Sequence, residues 1–172
     1  MDDAPGCYFN GFPLRGTSRG RVLARSANPA DPPIISPNYL ATDYDRDITV
    51  RLVRFLRTLM KQPALAPYVD GELGESALAT SDDEILDFMR RRGTSAYHAV
   101  GTCAMGVSSD PNAVLDERLR VRGVTGLRVV DCSVMPQQVS ANTNGPVMAV
   151  AWRAAGLIRA DLQRPPHADP PA

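Results

Sequence analysis

Between Asp43 and Gln62 the apolar residues Ile48, Leu52, Phe55, Leu56 and Leu59 recur at steps of three and four. That period places them on one face of an amphipathic helix, with Arg51, Arg54, Arg57 and Lys61 turned toward solvent and Pro63 ending it. A second helix is marked by Ser81 and Glu84 as a capping box, by Asp82 and Asp83 at its positive end and by Arg90, Arg91 and Arg92 at its negative end. Gly93 is expected to stop it in a left-handed conformation. A third helix is expected from Pro146 through Leu162, fed by the polar loop Gln137–Gly145. Strand patterns are weaker. Gly20–Ser26 alternates loosely and reads as a short strand, followed by a proline-bound turn over Asn28–Pro33. Leu119–Val121 and Leu127–Asp131 read as two further short strands, joined through Gly123 and Gly126. Together these elements predict an α+β fold: a small, mostly antiparallel sheet with flanking helices.

The chain has 172 residues, 19 basic and 19 acidic groups and a formal net charge of zero. That length can bury a core of about one domain. No basic excess is present to neutralise phosphates, so a nucleic-acid partner is not expected. The longest apolar stretch, Pro146–Leu157, is broken by Arg153 and too short to span a bilayer. Three widely spaced cysteines (Cys7, Cys103, Cys132) make no disulfide framework and suit a reducing compartment. The acidic start, Met1–Pro5, lacks the apolar run of a signal peptide, and a cytoplasmic location is the expectation. Pro165–Ala172, with four prolines, is expected to be a disordered tail.

Several familiar chemistries fail on spacing. Gly11 and Gly16 have the separation of a phosphate loop, but the lysine and the preceding strand are missing. No G-x-G-x-x-G occurs, so no dinucleotide fingerprint is present. His98 and Cys103 are five residues apart with no second ligand pair, which is a poor zinc census; no metal site is expected. Asp116 and Glu117 resemble solvated turn residues. What remains is His98 together with Asn142–Pro146. A histidine beside Tyr97 is, by itself, more often structural than catalytic. The second element has more internal logic: Asn144 is a good N-cap, Pro146 suits a first turn and a long apolar helix follows. Asn142 and Asn144 cannot both cap, so one is free to face a ligand, and the helix start offers backbone N–H groups to an anion.

Four ordered segments carry a resemblance. Tyr97–Gly106 (YHAVGTCAMG) resembles the active-site histidine segment of the glucose–methanol–choline (GMC) flavoprotein oxidoreductases. Asp116–Val124 resembles that family's D-x-x-L-R-V-x-G-V, Leu127–Pro136 its L-R-V-V-D-A-S-V-M-P, and Asn142–Pro146 its N-T-N-A-P. Ser18–Ala24 and Pro37–Leu40 are similar to its substrate-side half. The resemblance runs from about residue 8 to 163. It implies an FAD cofactor, a small-molecule alcohol substrate oxidised at its CH–OH group, His98 as catalytic base and Asn144 as the second active-site residue. It also implies that Asp131, Cys132, Asn144, Gly145 and Pro146 lie near FAD, with the third helix aiming its positive end at the flavin. The substrate pocket would be lined by loops such as Leu65–Leu78. Where the family often has proline and arginine, positions 99 and 104 are alanines, which predicts a changed loop stiffness or a lost outer contact.

By this resemblance residues 1–164 form the family's C-terminal domain, with 1–93 as the substrate-side half and 94–164 as the active-site, flavin-facing half. The N-terminal dinucleotide-binding domain is expected elsewhere, in cis or on a partner chain. An exposed apolar face on the third helix would suit such a neighbour. The alternative reading is a non-catalytic fragment or binding module that depends on a separate FAD-binding partner.

Overall fold

The apolar stripe after residue 42 folds as helix α1, Asp43–Met60, in a computed structural model that describes residues 6–163. The tail expected over 165–172 lies outside those residues. The described residues form two compact units, one ending at Ala96 and the other starting at Tyr97.

In the first unit, strands β1 (Arg21–Leu23) and β2 (Ile34–Ser36) pair antiparallel with Val22 opposite Ile35. The strand expected over Gly20–Ser26 is shorter because Ser26 already belongs to the turn: its hydroxyl donates to Asp31 Oδ2 at 2.6 Å. Thr42 caps α1, accepting from the Asp45 N–H, and Asp45 in turn accepts from the Thr17 and Ser18 N–H groups at 2.8 and 2.6 Å. Burial raises the Asp45 pKa, but the Ser18 and Thr17 hydrogen bonds outweigh it and hold the carboxyl below its usual range. One buried aspartate thereby ties the segment entering β1 to the first turn of α1.

The expected stripe on α1 is only part of its packing face. Val50 is buried with Val53 beside it, against Ala79, Ile85 and Leu86, whereas Phe55 and Leu59 of the expected stripe are exposed. Arg57 is not a solvent arm either. Its guanidinium donates to Glu72 Oε2 at 2.9 Å and to the Ser76 carbonyl at 2.7 Å, pinning the 62–78 segment to the helix. That segment holds a 3₁₀ turn, Ala66–Tyr68, and the short helix α2, Glu75–Leu78. Helix α3, Asp82–Arg92, carries the expected capping box in full, with Ser81 accepting from the Glu84 N–H and Glu84 accepting from the Ser81 N–H at 2.8 Å. Gly93 ends it differently from expectation: φ is −61°, not left-handed. Glycine is needed there because a Cβ would stand 2.4 Å from the Met89 carbonyl oxygen.

The second unit is built of loops folded around one helix, α4, Asn144–Leu162. Leu115, Leu119, Val134, Met135 and Ala154 form its buried core, with Val147 and Val150 of α4 packed against it. The two strands expected over 119–121 and 127–131 are reduced to isolated antiparallel bridges, Leu115 with Val121 and Arg120 with Arg128. Leu119 is the cause, since its φ of +63° breaks the extended run. The Asp116 carboxylate also takes the Arg118 and Arg120 N–H groups at 2.8 and 2.9 Å. At the far end of α4, Asp161 receives both Arg118 and Arg128. The opposite face of α4 exposes Met148, Trp152 and Leu162, as the apolar pattern anticipated; Trp152 is 83% exposed. Among the described residues no helix is long and apolar enough to cross a membrane.

Candidate active site

His98 lies at the head of a loop that the backbone fastens to the segment after Asp131. Cys103 N–H donates to the Ser133 carbonyl at 3.1 Å and Met105 N–H to the Val134 carbonyl at 2.9 Å. Tyr97 enters the loop with a φ of +59°, an uncommon conformation for an aromatic residue. Gly101 turns it at φ +92°, close to the Met135 carbonyl. Arg122 clamps the loop's exit by donating to the carbonyls of Gly106 at 2.8 Å and Asp110 at 2.9 Å. Thus the segments that stand apart in sequence as 97–106, 116–124 and 127–136 are one hydrogen-bonded piece.

The fourth segment joins through a side chain. Thr143 Oγ1 is 3.0 Å from His98 Nδ1. Thr143, not Asn144, is the N-cap of α4: its carbonyl accepts the first helical bond, from the Val147 N–H at 2.9 Å. A capping threonine usually accepts from the N–H two or three residues on. Here the residue three on is Pro146, which has no N–H. Thr143 also has helical angles (φ −77°, ψ −13°) and makes no side-chain capping bond. Its buried hydroxyl, 5% exposed, therefore turns to the histidine.

This shifts the other expected residues by one place. Asn144 is the first residue of the helix rather than its cap, Gly145 follows it, and Pro146 lies in the first turn as expected. Asn144 is exposed and spends no side-chain bond on capping, and neither does Asn142. The N–H groups of Asn144 and Gly145 stand at the positive end of α4, where no turn precedes to accept them. Gly145 is exposed, and a Cβ on it would meet no atom within 4 Å.

Asp131 and Cys132 are placed in the 3₁₀ turn Cys132–Val134. Asp131 caps that turn, its Oδ1 accepting from the Ser133 N–H at 2.7 Å and from the Ser133 hydroxyl. Cys132 and Cys103 are half-buried against the core. Asp116, read from sequence as a solvated turn residue, is a structural anchor. Burial raises its pKa, but the backbone and guanidinium of Arg120 and the Arg118 N–H outweigh it and lower the carboxyl. Asp161 is lowered chiefly by its hydrogen bond from Arg118, against some burial and with help from Arg128. The residue that sequence reasoning missed is Thr143. Its signal was Pro146 three positions later, which removes one of the two N–H groups a capping threonine can accept from.

The chain is 48% identical over 147 residues to mitochondrial choline dehydrogenase of Homo sapiens, covering 86% of this chain and 25% of that protein. It is 43% identical to an alcohol dehydrogenase [acceptor] of Pseudomonas putida, over 82% of this chain and 25% of that one. Among solved structures, an FAD-dependent oxidoreductase from Chaetomium thermophilum superposes with a TM-score of 0.77 at 31% identity, covering 88% of this chain and 26% of that one. Pyridoxine 4-oxidase from Mesorbium loti gives 0.73 at 32% identity, over 86% and 28%. The chain spans about a quarter of the length of these relatives. Residues 16–151 match the family described as GMC oxidoreductase, whose members are FAD flavoproteins, and with most of its length accounted for in this way the chain belongs to that family.

Proposed function

We propose that this chain is the substrate- and flavin-facing part of an FAD-dependent enzyme that oxidises the CH–OH group of a small-molecule alcohol. The observation that carries the reading is the His98–Thr143 hydrogen bond, which brings the histidine of one family segment to the helix start of another. His98 is the catalytic base. Asn144, exposed on the first turn of α4, donates to the substrate oxygen. The dinucleotide-binding region, in cis or on a partner chain, holds the remainder of the cofactor, and the exposed apolar face of α4 suits a neighbour of that kind.

The residues present fit a flavin. The N–H groups of Asn144 and Gly145 offer donors at a positive helix end, and the open space over Gly145 admits a flat ring edge. Asp131 keeps its own turn in shape. When bound, FAD supplies a two-electron hydride acceptor. The work left to the protein is to remove a proton and to hold the substrate oxygen. His98 takes the hydroxyl proton as the carbinol carbon gives up its hydride, so the alcohol leaves as a carbonyl compound. A positioned base of this kind contributes about a hundred- to ten-thousandfold in rate.

Choline is the first alcohol to test, because the choline dehydrogenases are among the relatives with the highest shared identity. The enzyme containing this chain and its flavin-binding region is mixed anaerobically with choline and a panel of simple primary alcohols. Bleaching of the oxidised flavin with matching carbonyl product is expected for at least one. A fully flavin-loaded enzyme that no alcohol bleaches contradicts the proposal.

A further inference from the structure

The buried hydroxyl of Thr143 has no role in its own helix, yet it occupies one of the two ring nitrogens of His98. We infer that Thr143 is a positioning residue for His98, accepting a hydrogen bond from Nδ1–H and so fixing the tautomer whose lone pair lies on Nε2. The inference rests on the reading of His98 as the base. Three observations combine. The Oγ1–Nδ1 distance is 3.0 Å, within ordinary hydrogen-bond range. Thr143 is 5% exposed, so water competes little for that oxygen. Pro146 removes one of the two N–H groups that could recruit it to the helix cap, and no capping bond forms to the other, that of Gly145.

The chemistry then follows from the ring. A neutral imidazole carries one N–H and one lone pair, and the partner at one nitrogen decides which nitrogen is basic. A hydroxyl oxygen accepting at Nδ1 places the proton there and leaves Nε2 to abstract the substrate proton. If the hydroxyl donated instead, the proton would sit on Nε2 and the histidine would meet the alcohol with a donor rather than a base. Most histidine bases are oriented by a carboxylate or carbonyl. A hydroxyl held as the acceptor keeps the proton on Nδ1 without adding a negative charge beside a ring that must become cationic.

The direct test is long-range 1H–15N correlation of the histidine side chains in the 172-residue chain, which contains only two histidines. His167→Gln assigns the signals. At a pH where the ring is neutral, His98 is expected as the Nδ1–H tautomer, and Thr143→Val is expected to release it to a mixture while Thr143→Ser retains it. A wild-type His98 found as Nε2–H, or already evenly mixed, overturns the inference whatever the variants do. In the flavin-loaded enzyme, Thr143→Val should lower the rate of flavin reduction on the order of ten- to a hundredfold, the range for loss of a histidine's outer partner, and Thr143→Ser should restore most of it. Equal losses in Val and Ser also overturn it. Failure of the base assignment looks different: His98→Ala would then reduce flavin at the wild-type rate even with the Nδ1–H tautomer present.

Discussion

Gly20 shows how closely single residues are specified around the sheet. A Cβ there would stand 2.3 Å from the Ser36 carbonyl oxygen and 2.6 Å from that of Pro37, both backbone atoms with little room to give. Gly20→Ala is therefore expected to cost about 1–3 kcal/mol by overpacking. It should lower the urea midpoint with an unchanged slope, and an unaltered midpoint would contradict the contact geometry. Thr143 illustrates the opposite case, a residue whose environment could not be foreseen from propensity alone. Asparagine ranks at least as high as threonine as a helix cap, and that propensity points to Asn144. The start of α4 at Asn144 makes Thr143 the cap instead, and Pro146 leaves only the Gly145 N–H within reach of its hydroxyl. Leu119 escaped because leucine seldom adopts positive φ, and the turn in which it does so is held by Asp116, which accepts from the Arg118 and Arg120 N–H groups on either side.

At the scale of elements, what was legible in the sequence was whatever is encoded locally. Ser81 and Glu84 announced α3 because both halves of a capping box lie within four residues, and the spacing of apolar residues located α1 within two positions of its end. The expected strands 119–121 and 127–131 do meet, through Val121 N–H to the Leu127 carbonyl and Val129 N–H to the Leu119 carbonyl, but they extend no further than a bridge because Asp116 takes the Arg118 and Arg120 N–H groups. Of the candidate site, His98 and the 142–146 loop were identified by motif, while the bond joining them spans 45 positions and had no local signal. The same local electrostatics predict acid behaviour. Glu84 is held at about 2 by the Ser81 and Thr80 N–H groups and hydroxyls, and Glu75 at about 2 by Arg92 and Arg91. A carboxyl depressed on folding stabilises the fold above its ordinary value of 4.5, and that contribution disappears as pH falls toward about 2. Stability should therefore fall across that window. Glu84→Gln should flatten the fall, so an identical acid limb in the variant would show that the cap carries no linked proton.

Taken whole, the molecule concentrates its recognisable chemistry in the unit that starts at Tyr97, where four sequence segments gather around α4 and His98 of the first of them meets Thr143 at its start. The core beneath is small: Leu115, Leu119, Val134, Met135 and Ala154. Arginine contacts to backbone carbonyls and to Asp161 secure the loops around it. The exposed Met148 and Trp152 lie on α4 itself, about one and two turns beyond Asn144, so a neighbour covering that face would approach the same helix start. The chain's share of its relatives, about a quarter, is consistent with the ADP-binding part of FAD lying outside these 172 residues. The most direct measurement is the anaerobic rate of flavin reduction by alcohol in the enzyme carrying His98→Ala, with flavin content read from the oxidised spectrum. The account predicts full flavin occupancy with reduction slowed about a hundred- to ten-thousandfold. Reduction at the wild-type rate with flavin fully bound would remove His98 from the chemistry and contradict it.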